Sequence, residues 1–192
     1  MNPSAVGVSP PSVYNRPAMK IPLNDIYSTR TWEWDDAPSL TKYADNPNIW
    51  MNLRDAFPHP YRHTDARAWI RGAKEQKPET QFAIANLSEA IGGIGLTVQN
   101  DVYRLSAEMG YWLAEPFWGK GIATMAVRAF TQYAFSSYGL VRVFATVFEW
   151  NKASARVLEK AGFTLEARLR KNVIKNGQII DTLLYAKLKE DP

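Results

Sequence analysis

Residues 107–113, Ala107-Glu108-Met109-Gly110-Tyr111-Trp112-Leu113, stand a short link ahead of residues 118–124, Trp118-Gly119-Lys120-Gly121-Ile122-Ala123-Thr124. The first stretch alternates. Ala107, Met109, Tyr111 and Leu113 fall on one face, the pattern of a strand over Ser106–Ala114. The second is glycine-rich and opens a run in which Met125, Ala126, Ala129, Phe130, Tyr133 and Ala134 recur with helical period, closed by Gly139. Alternation then resumes over Val141–Phe148, with Val141, Val143, Ala145 and Val147 on one side. Strand, helix, strand in this order is a crossover unit, which puts its two strands parallel.

Upstream, Asp36–Asp45 and Thr64–Gln76 read as helices, the latter with Ala66, Trp69 and Ile70 on one face. Thr80–Asn86 and Gly92–Gln99 read as strands joined at Leu87–Ala90. Downstream, Asn151 caps a helix that ends at Ala161-Gly162, and Asn176–Gly177 turns a hairpin between Thr164–Lys175 and Gln178–Lys189. The order is strand, two helices, three strands, helix, strand, helix, two-strand hairpin. It predicts an α/β (α+β) domain with a mixed, largely antiparallel sheet and helices on both faces.

The chain of 192 residues suits one domain, expected over 18–192, with 1–17 a flexible N-terminal tail of four prolines and three serines rather than a signal peptide. With no cysteine, thiol nucleophiles, disulfides and cysteine-bound metals are out, and a cytoplasmic location is the expectation. No apolar run nears the roughly 18 residues that span a bilayer, so no membrane partner is expected. His59 and His63 are four apart, but Pro60 interrupts a helix there and no third histidine exists, so no metal is expected.

The Gly119–Thr124 turn has two readings. The first-turn N–H groups of a helix lack intrahelical acceptors and attract anions, so with Lys120 they suit a pyrophosphate. Alternatively the glycines simply start a helix. A Walker loop is excluded because Gly121 follows Lys120, and a dinucleotide fingerprint because Thr124 stands where a third glycine belongs.

These blocks, together with Asn151-Lys152-Ala153-Ser154 and Glu159-Lys160-Ala161-Gly162-Phe163, resemble the GNAT superfamily of N-acetyltransferases, closest to its RimJ/RimL-like branch. The resemblance covers residues of about 20–190 in the family's order. It implies a splayed sheet with the pantetheine arm of acetyl-CoA, the acyl donor, between the strand ending at Leu113 and the strand Val141–Phe148. Backbone of Tyr111, Trp112 and Leu113 would pair with that arm. The amides of Gly119, Lys120, Gly121, Ile122, Ala123 and Thr124 would take the pyrophosphate, and the Asn151 side chain the pantetheine. The chain departs from the superfamily at Pro116, where Arg or Gln is usual, and at Leu158, where many members carry the tyrosine that protonates the thiolate.

Acetyl transfer to an amine wants a base for the nitrogen and donors for the oxyanion and the thiolate. Glu108 shares a strand face with Trp112 and is the candidate base, directly or through a water; its other reading is a carboxylate paired with a neighbouring basic residue. Ser154 is the candidate donor to the thiolate, with Tyr111 in reserve. Phe57, His59 and Tyr61 are candidate walls of the acceptor mouth, or they pack their loop onto the sheet. The acceptor is a small-molecule or peptide amine, and the protein a monomer or homodimer. The alternative is a non-catalytic acyl-CoA-binding module of the same fold.

The excess behind the formal charge of +4 lies in residues 151–176, where seven basic side chains stand against two acidic ones. No RNA-binding signature accompanies it, so nucleic acid is not expected. Lys152 and Arg156, at the start of the helix after Asn151, are candidates for the adenosine 3′-phosphate of the donor.

Overall fold

A computed structural model describes residues 19–190, so the tail expected over 1–17 lies outside the described residues. Eight strands form one sheet in the order β1-β2-β3-β4-β5-β6-β8-β7. They are β1 (Lys20–Pro22), β2 (Ser28–Thr31), β3 (Gln81–Ala85), β4 (Ala90–Val98), β5 (Ser106–Leu113), β6 (Arg142–Phe148), β7 (Thr164–Lys175) and β8 (Gln178–Leu188). The helices are α1 (Ala37–Ala44), α2 (Pro47–Trp50), α3 (His63–Glu75), α4 (Ile122–Tyr138) and α5 (Lys152–Lys160). The mixed-sheet expectation holds, with one strand more than the sequence order implied: β1 is a three-residue edge strand ending in Pro22, too short to read from alternation.

Every neighbouring pair is antiparallel except β5 and β6, the two strands linked by α4. One core lies on the α4–α5 side, where Phe130, Val127 and Leu158 are wholly buried against Phe82, Met109 and Val143. The other lies under α1 and α3, around Trp32, Leu40, Ile70 and Tyr61, with Trp112 and Phe57 packed at its rim. Gly93 makes that second core possible: a Cβ there would stand 2.8 Å from the Trp112 indole nitrogen and 3.3 Å from Trp32.

Two helix faces differ from the sequence reading. In α4 the deep stripe is Ile122, Ala126, Val127, Phe130, Thr131, Ala134 and Phe135, one residue round from the expected one. Thr131 tolerates the core because its hydroxyl donates to the Val127 carbonyl at 2.7 Å. In α3, Ala66, Ile70 and Ala73 face inward while Trp69 is exposed. Val141, placed on the buried face by alternation, precedes β6 and is exposed.

Candidate active site

The parallel contact between β5 and β6 covers only Ser106–Arg142, Ala107–Val143 and Glu108–Phe144. Beyond these pairs β5 continues to Leu113 beside β4, and β6 continues to Phe148 beside β8, so the two strands part and leave a wedge. Which backbone groups line it follows from the ladder. Ala114 N–H donates to the Ile91 carbonyl at 2.8 Å and Gln99 N–H to the Ser106 carbonyl at 2.9 Å. Bonded pairs alternate along an antiparallel ladder, so the even-numbered residues of β5 bond β4. Tyr111 and Leu113 therefore turn their N–H and C=O toward the wedge, and Met109 its C=O, whereas the Met109 N–H closes the parallel ladder that pairs Glu108 with Phe144. This corrects the reading of Trp112, whose backbone belongs to β4 opposite Gly93. Met109 takes its place as a wedge-lining residue. The Leu113 carbonyl is already engaged, accepting from the Trp118 indole N–H at 2.6 Å.

At the mouth of the wedge stands the N-terminus of α4. Gly119 and Gly121 have φ of +74° and +75°, the left-handed region that a side chain enters only at a cost. No side chain caps this helix, which leaves the first-turn N–H groups of Ile122, Ala123 and Thr124 open to a ligand. Lys120 bends back, its ammonium donating to the Pro116 carbonyl at 3.0 Å and lying 5.3 Å from the centre of the Phe117 ring. An exposed lysine so held can swing onto an anion.

Across the wedge, α5 begins at Asn151, whose side-chain oxygen accepts the Ser154 N–H at 3.0 Å. That capping bond uses one lone pair of the Asn151 carbonyl oxygen and leaves the amide NH₂ to donate to a ligand. The Ser154 hydroxyl lies 2.8 Å from the Tyr111 hydroxyl, and Tyr111 also donates to the Ser154 carbonyl at 3.1 Å. The two thiolate-donor candidates thus form one hydroxyl pair that ties β5 to α5. Burial raises the Tyr111 pKa well above the ordinary phenol value, against the opposing hydrogen bond with Ser154, and keeps the hydroxyl protonated. Leu158 is fully buried in the core and does no chemistry.

The opposite face of β5 carries Glu108, Gly110 and Trp112. Glu108 is ion-paired and hydrogen-bonded to Arg54, from the loop between α2 and α3. The Glu108 side chain is 18% exposed and that of Arg54 70% exposed. Gly110 between Glu108 and Trp112 is exposed, with no atom within 4 Å of where a Cβ would be. The floor is therefore open.

The same loop supplies the walls. Phe57 packs edge-on to Trp112 at 6.0 Å and tilted on Tyr61 at 4.9 Å. Tyr61 is buried, and desolvation pushes its pKa well up, so it is core more than wall. His59 is turned away, stacked on Trp50 at 5.2 Å and 3.7 Å from Asp45. His63 opens α3, and no cluster of three metal-ligating side chains exists among the described residues. The loop is fastened to the far hairpin: Lys175, 1% exposed, donates to Asp55 at 2.7 Å and lies 3.9 Å over the Trp50 ring. The Trp150 indole donates to Asn52 at 3.1 Å.

The basic segment divides between two places. Lys152 and Arg156 are exposed on α5, and Arg156 faces Glu159 at 3.2 Å rather than standing ready for an anion. Arg168, Arg170 and Lys171 lie instead on β7, where the register shifts between Leu169 and Val173. Arg168 bonds both Glu149 and Asp181 at 2.6 Å. The sequence reading assigned no individual role in the site to Arg54, Met109, Asp55 or Lys175. Their partners lie far off along the chain, and only the periodicity of β5 hinted at Met109.

A family profile described as an acetyltransferase (GNAT) domain matches residues 29–164. The chain belongs to the GNAT acetyltransferase family. An uncharacterized N-acetyltransferase of Bacillus licheniformis, p20, is 30% identical over 166 residues, 84% of this chain and 92% of that protein. Among solved structures, Mycobacterium smegmatis RimJ in complex with a CoA-disulfide superposes with a TM-score of 0.79 at 26% identity, covering 94% of this chain and 90% of RimJ. The microcin C7 self-immunity acetyltransferase MccE, in complex with acetyl-CoA and AMP, gives 0.76 at 25% identity, over 86% of this chain and 94% of MccE. The likeness to RimJ agrees with the RimJ/RimL-like branch that the motifs indicated. As a GNAT enzyme the chain is an N-acetyltransferase. No helix among the described residues is long and apolar enough to cross a membrane.

Proposed function

We propose that this GNAT enzyme transfers the acetyl group of acetyl-CoA to a primary amine, a peptide N-terminus or small amine, by direct attack with both substrates bound. The observation that carries the reading is the wedge between β5 and β6, opening beside an uncapped helix N-terminus. A linear chain bearing amides fits the outward C=O of Met109 and the N–H and C=O of Tyr111, as a strand would. A pyrophosphate fits the amides of Gly119, Lys120, Gly121, Ile122, Ala123 and Thr124. The Asn151 amide and, once it leaves Glu159, Arg156 are within the same reach of the donor.

The acceptor enters from the other face, over Gly110 and alongside the Trp112–Phe57 pair. Glu108 takes the proton that the amine must lose, directly or through a water, as its nitrogen forms the new C–N bond. A backbone N–H of Tyr111 or Leu113 steadies the developing oxyanion. As the C–S bond breaks, one hydroxyl of the Ser154–Tyr111 pair turns its O–H from its present acceptor to the departing sulfur; a thiol with pKa near ~8.5 needs little help to leave.

Free-thiol release from acetyl-CoA, followed across amines and N-terminal peptides, tests this. Release that requires an acceptor, with kcat lowered about 10²–10⁴-fold in Glu108→Gln, is expected. Tight acetyl-CoA binding without acceptor-dependent release would instead leave a binding module. Unchanged kcat and pH profile in Glu108→Gln would remove that carboxylate from the reaction.

A further inference from the structure

Glu108 is the acid on the open floor of the acceptor side, and Arg54 sits on it. An incoming ammonium competes with that guanidinium for Glu108. Where the displaced charge goes then decides which acceptors bind well. Arg54 is mostly exposed and belongs to the acceptor loop, so it remains at the mouth beside the bound amine.

Carboxylates of the acceptor loop, of the end of α1 and of the β6–β8 end have partners of their own. Asp55 holds Lys175 at 2.7 Å. Glu149 and Asp181 hold Arg168, and Asp181 also accepts the Lys171 N–H at 2.8 Å. Asp45 accepts the Tyr61 N–H at 2.9 Å and faces His59. Arg170 and Lys171 stand exposed on the same hairpin as Lys175. A polycationic acceptor would therefore compete with Arg54 at Glu108 and meet carboxylates that already hold a cation at Asp55, Glu149 and Asp181. An acceptor that brings its own anion replaces both halves of the pair at once: its ammonium takes Glu108, and its carboxylate takes Arg54.

We propose that Arg54 is a specificity-determining residue that selects amine acceptors carrying a carboxylate close to the amine, such as peptides with an acidic residue beside their N-terminus. The proposal rests on the acetyl-transfer reading above and narrows its acceptor. Exchange of one ion pair for two similar ones costs the site little, whereas a neutral acceptor strands the guanidinium and a cationic one repels it. The planar fork of arginine suits a carboxylate in two-point contact, which a lysine ammonium matches less well.

The test uses three free-N-terminus peptides identical but for Asp, Asn or Lys at the second position. They are assayed by thiol release at saturating acetyl-CoA with wild type, Arg54→Gln and Arg54→Lys. In wild type, kcat/KM is expected to run Asp over Asn over Lys, with about tenfold between the first two, the factor that one charge-assisted hydrogen bond supplies. Arg54→Gln should bring the Asp and Asn peptides within about twofold, and Arg54→Lys should keep part of the preference. Acetyl-CoA KM should stay constant throughout, since Arg54 lies on the acceptor side. Equal use of all three peptides by wild type, or a preference that survives Arg54→Gln, overturns the proposal while leaving acetyl transfer intact. Thiol release with none of them overturns the acetyl-transfer reading for peptides, and this proposal with it.

Discussion

Gly110→Val should separate stability from activity. Gly110 lies in mid-strand between Glu108 and Trp112, on the face assigned to the acceptor. Its φ is not among the positive ones, and no atom lies within 4 Å of a Cβ built there. Glycine in a strand interior costs roughly 0.5–1 kcal/mol in lost chain entropy, and a β-branched residue suits a strand. The substitution should therefore stabilise by about that amount, raising Tm by roughly 1–4 °C for a chain of this size. The same side chain fills the space over the floor. Residues two apart on a strand stand roughly 6.6 Å from each other, so the valine methyls occupy the gap between Glu108 and Trp112 where the amine must approach. Overpacking of this kind costs about 1–3 kcal/mol, so kcat/KM for the acceptor should fall about tenfold or more, with acetyl-CoA KM unchanged. Differential scanning calorimetry and steady-state kinetics read the two effects. A Gly110→Val enzyme with undiminished acceptor kcat/KM would refute the placement of the acceptor on this face. A marked fall in Tm would show the floor is not open.

The hydroxyl pair should behave as a unit: Ser154→Ala and Tyr111→Phe are each expected to lower kcat about tenfold, and the double variant no further. Additive losses measured in that cycle would mean that the two act separately. Arg30 forms a two-point ion pair with Asp36 at 2.7 Å, with side-chain exposures of 17% and 5%. Arg30→Met strands a buried carboxylate, and thermal unfolding should show a loss of about 3–5 kcal/mol, or Tm lower by roughly 6–20 °C. Lys175→Met should release the acceptor loop from β7. Because Asp55 is exposed, stability should change little, whereas acceptor KM should rise several-fold and acetyl-CoA KM hold. If Lys175→Arg fails to restore acceptor KM, the clamp is not electrostatic.

Much of this architecture was legible in the sequence because the signals are local. Strand alternation over Ser106–Leu113, the Asn151 cap and the Asn176–Gly177 turn each depend on residues a few positions apart, and each element forms where the pattern put it. The α4 stripe was misread because hydropathy alone discounts Thr131, whose hydroxyl satisfies itself within the helix. Trp69 was drawn inward by its size, but α3 packs through Ala66, Ile70 and Ala73. The site was legible only where it follows a strand or a helix end. Whether Trp112 or Met109 offers its backbone to the wedge depends on which side β4 occupies, a fact of sheet order. Arg54 meets Glu108 across 54 residues of chain, and Lys175 meets Asp55 across 120. Pairings of that range leave no local trace in the sequence. The charge count behaved similarly: it located the basic residues along the chain but not in space, where Arg168, Arg170, Lys171 and Lys175 fall on the hairpin, apart from Lys152 and Arg156 on α5.

The central claim is that the donor lies in the wedge between β5 and β6, with its phosphates on the first turn of α4. Amide hydrogen exchange, followed residue by residue with and without acetyl-CoA, tests it most directly. Slowed exchange is expected at Tyr111 and Leu113 and across Gly119–Thr124, with Trp112 already protected by its pairing to β4, and Met109 by its pairing to β6, in both states. Acetyl-CoA binding that leaves these amides unchanged, or protects another face of the sheet, would contradict the placement of the donor and the mechanism built on it.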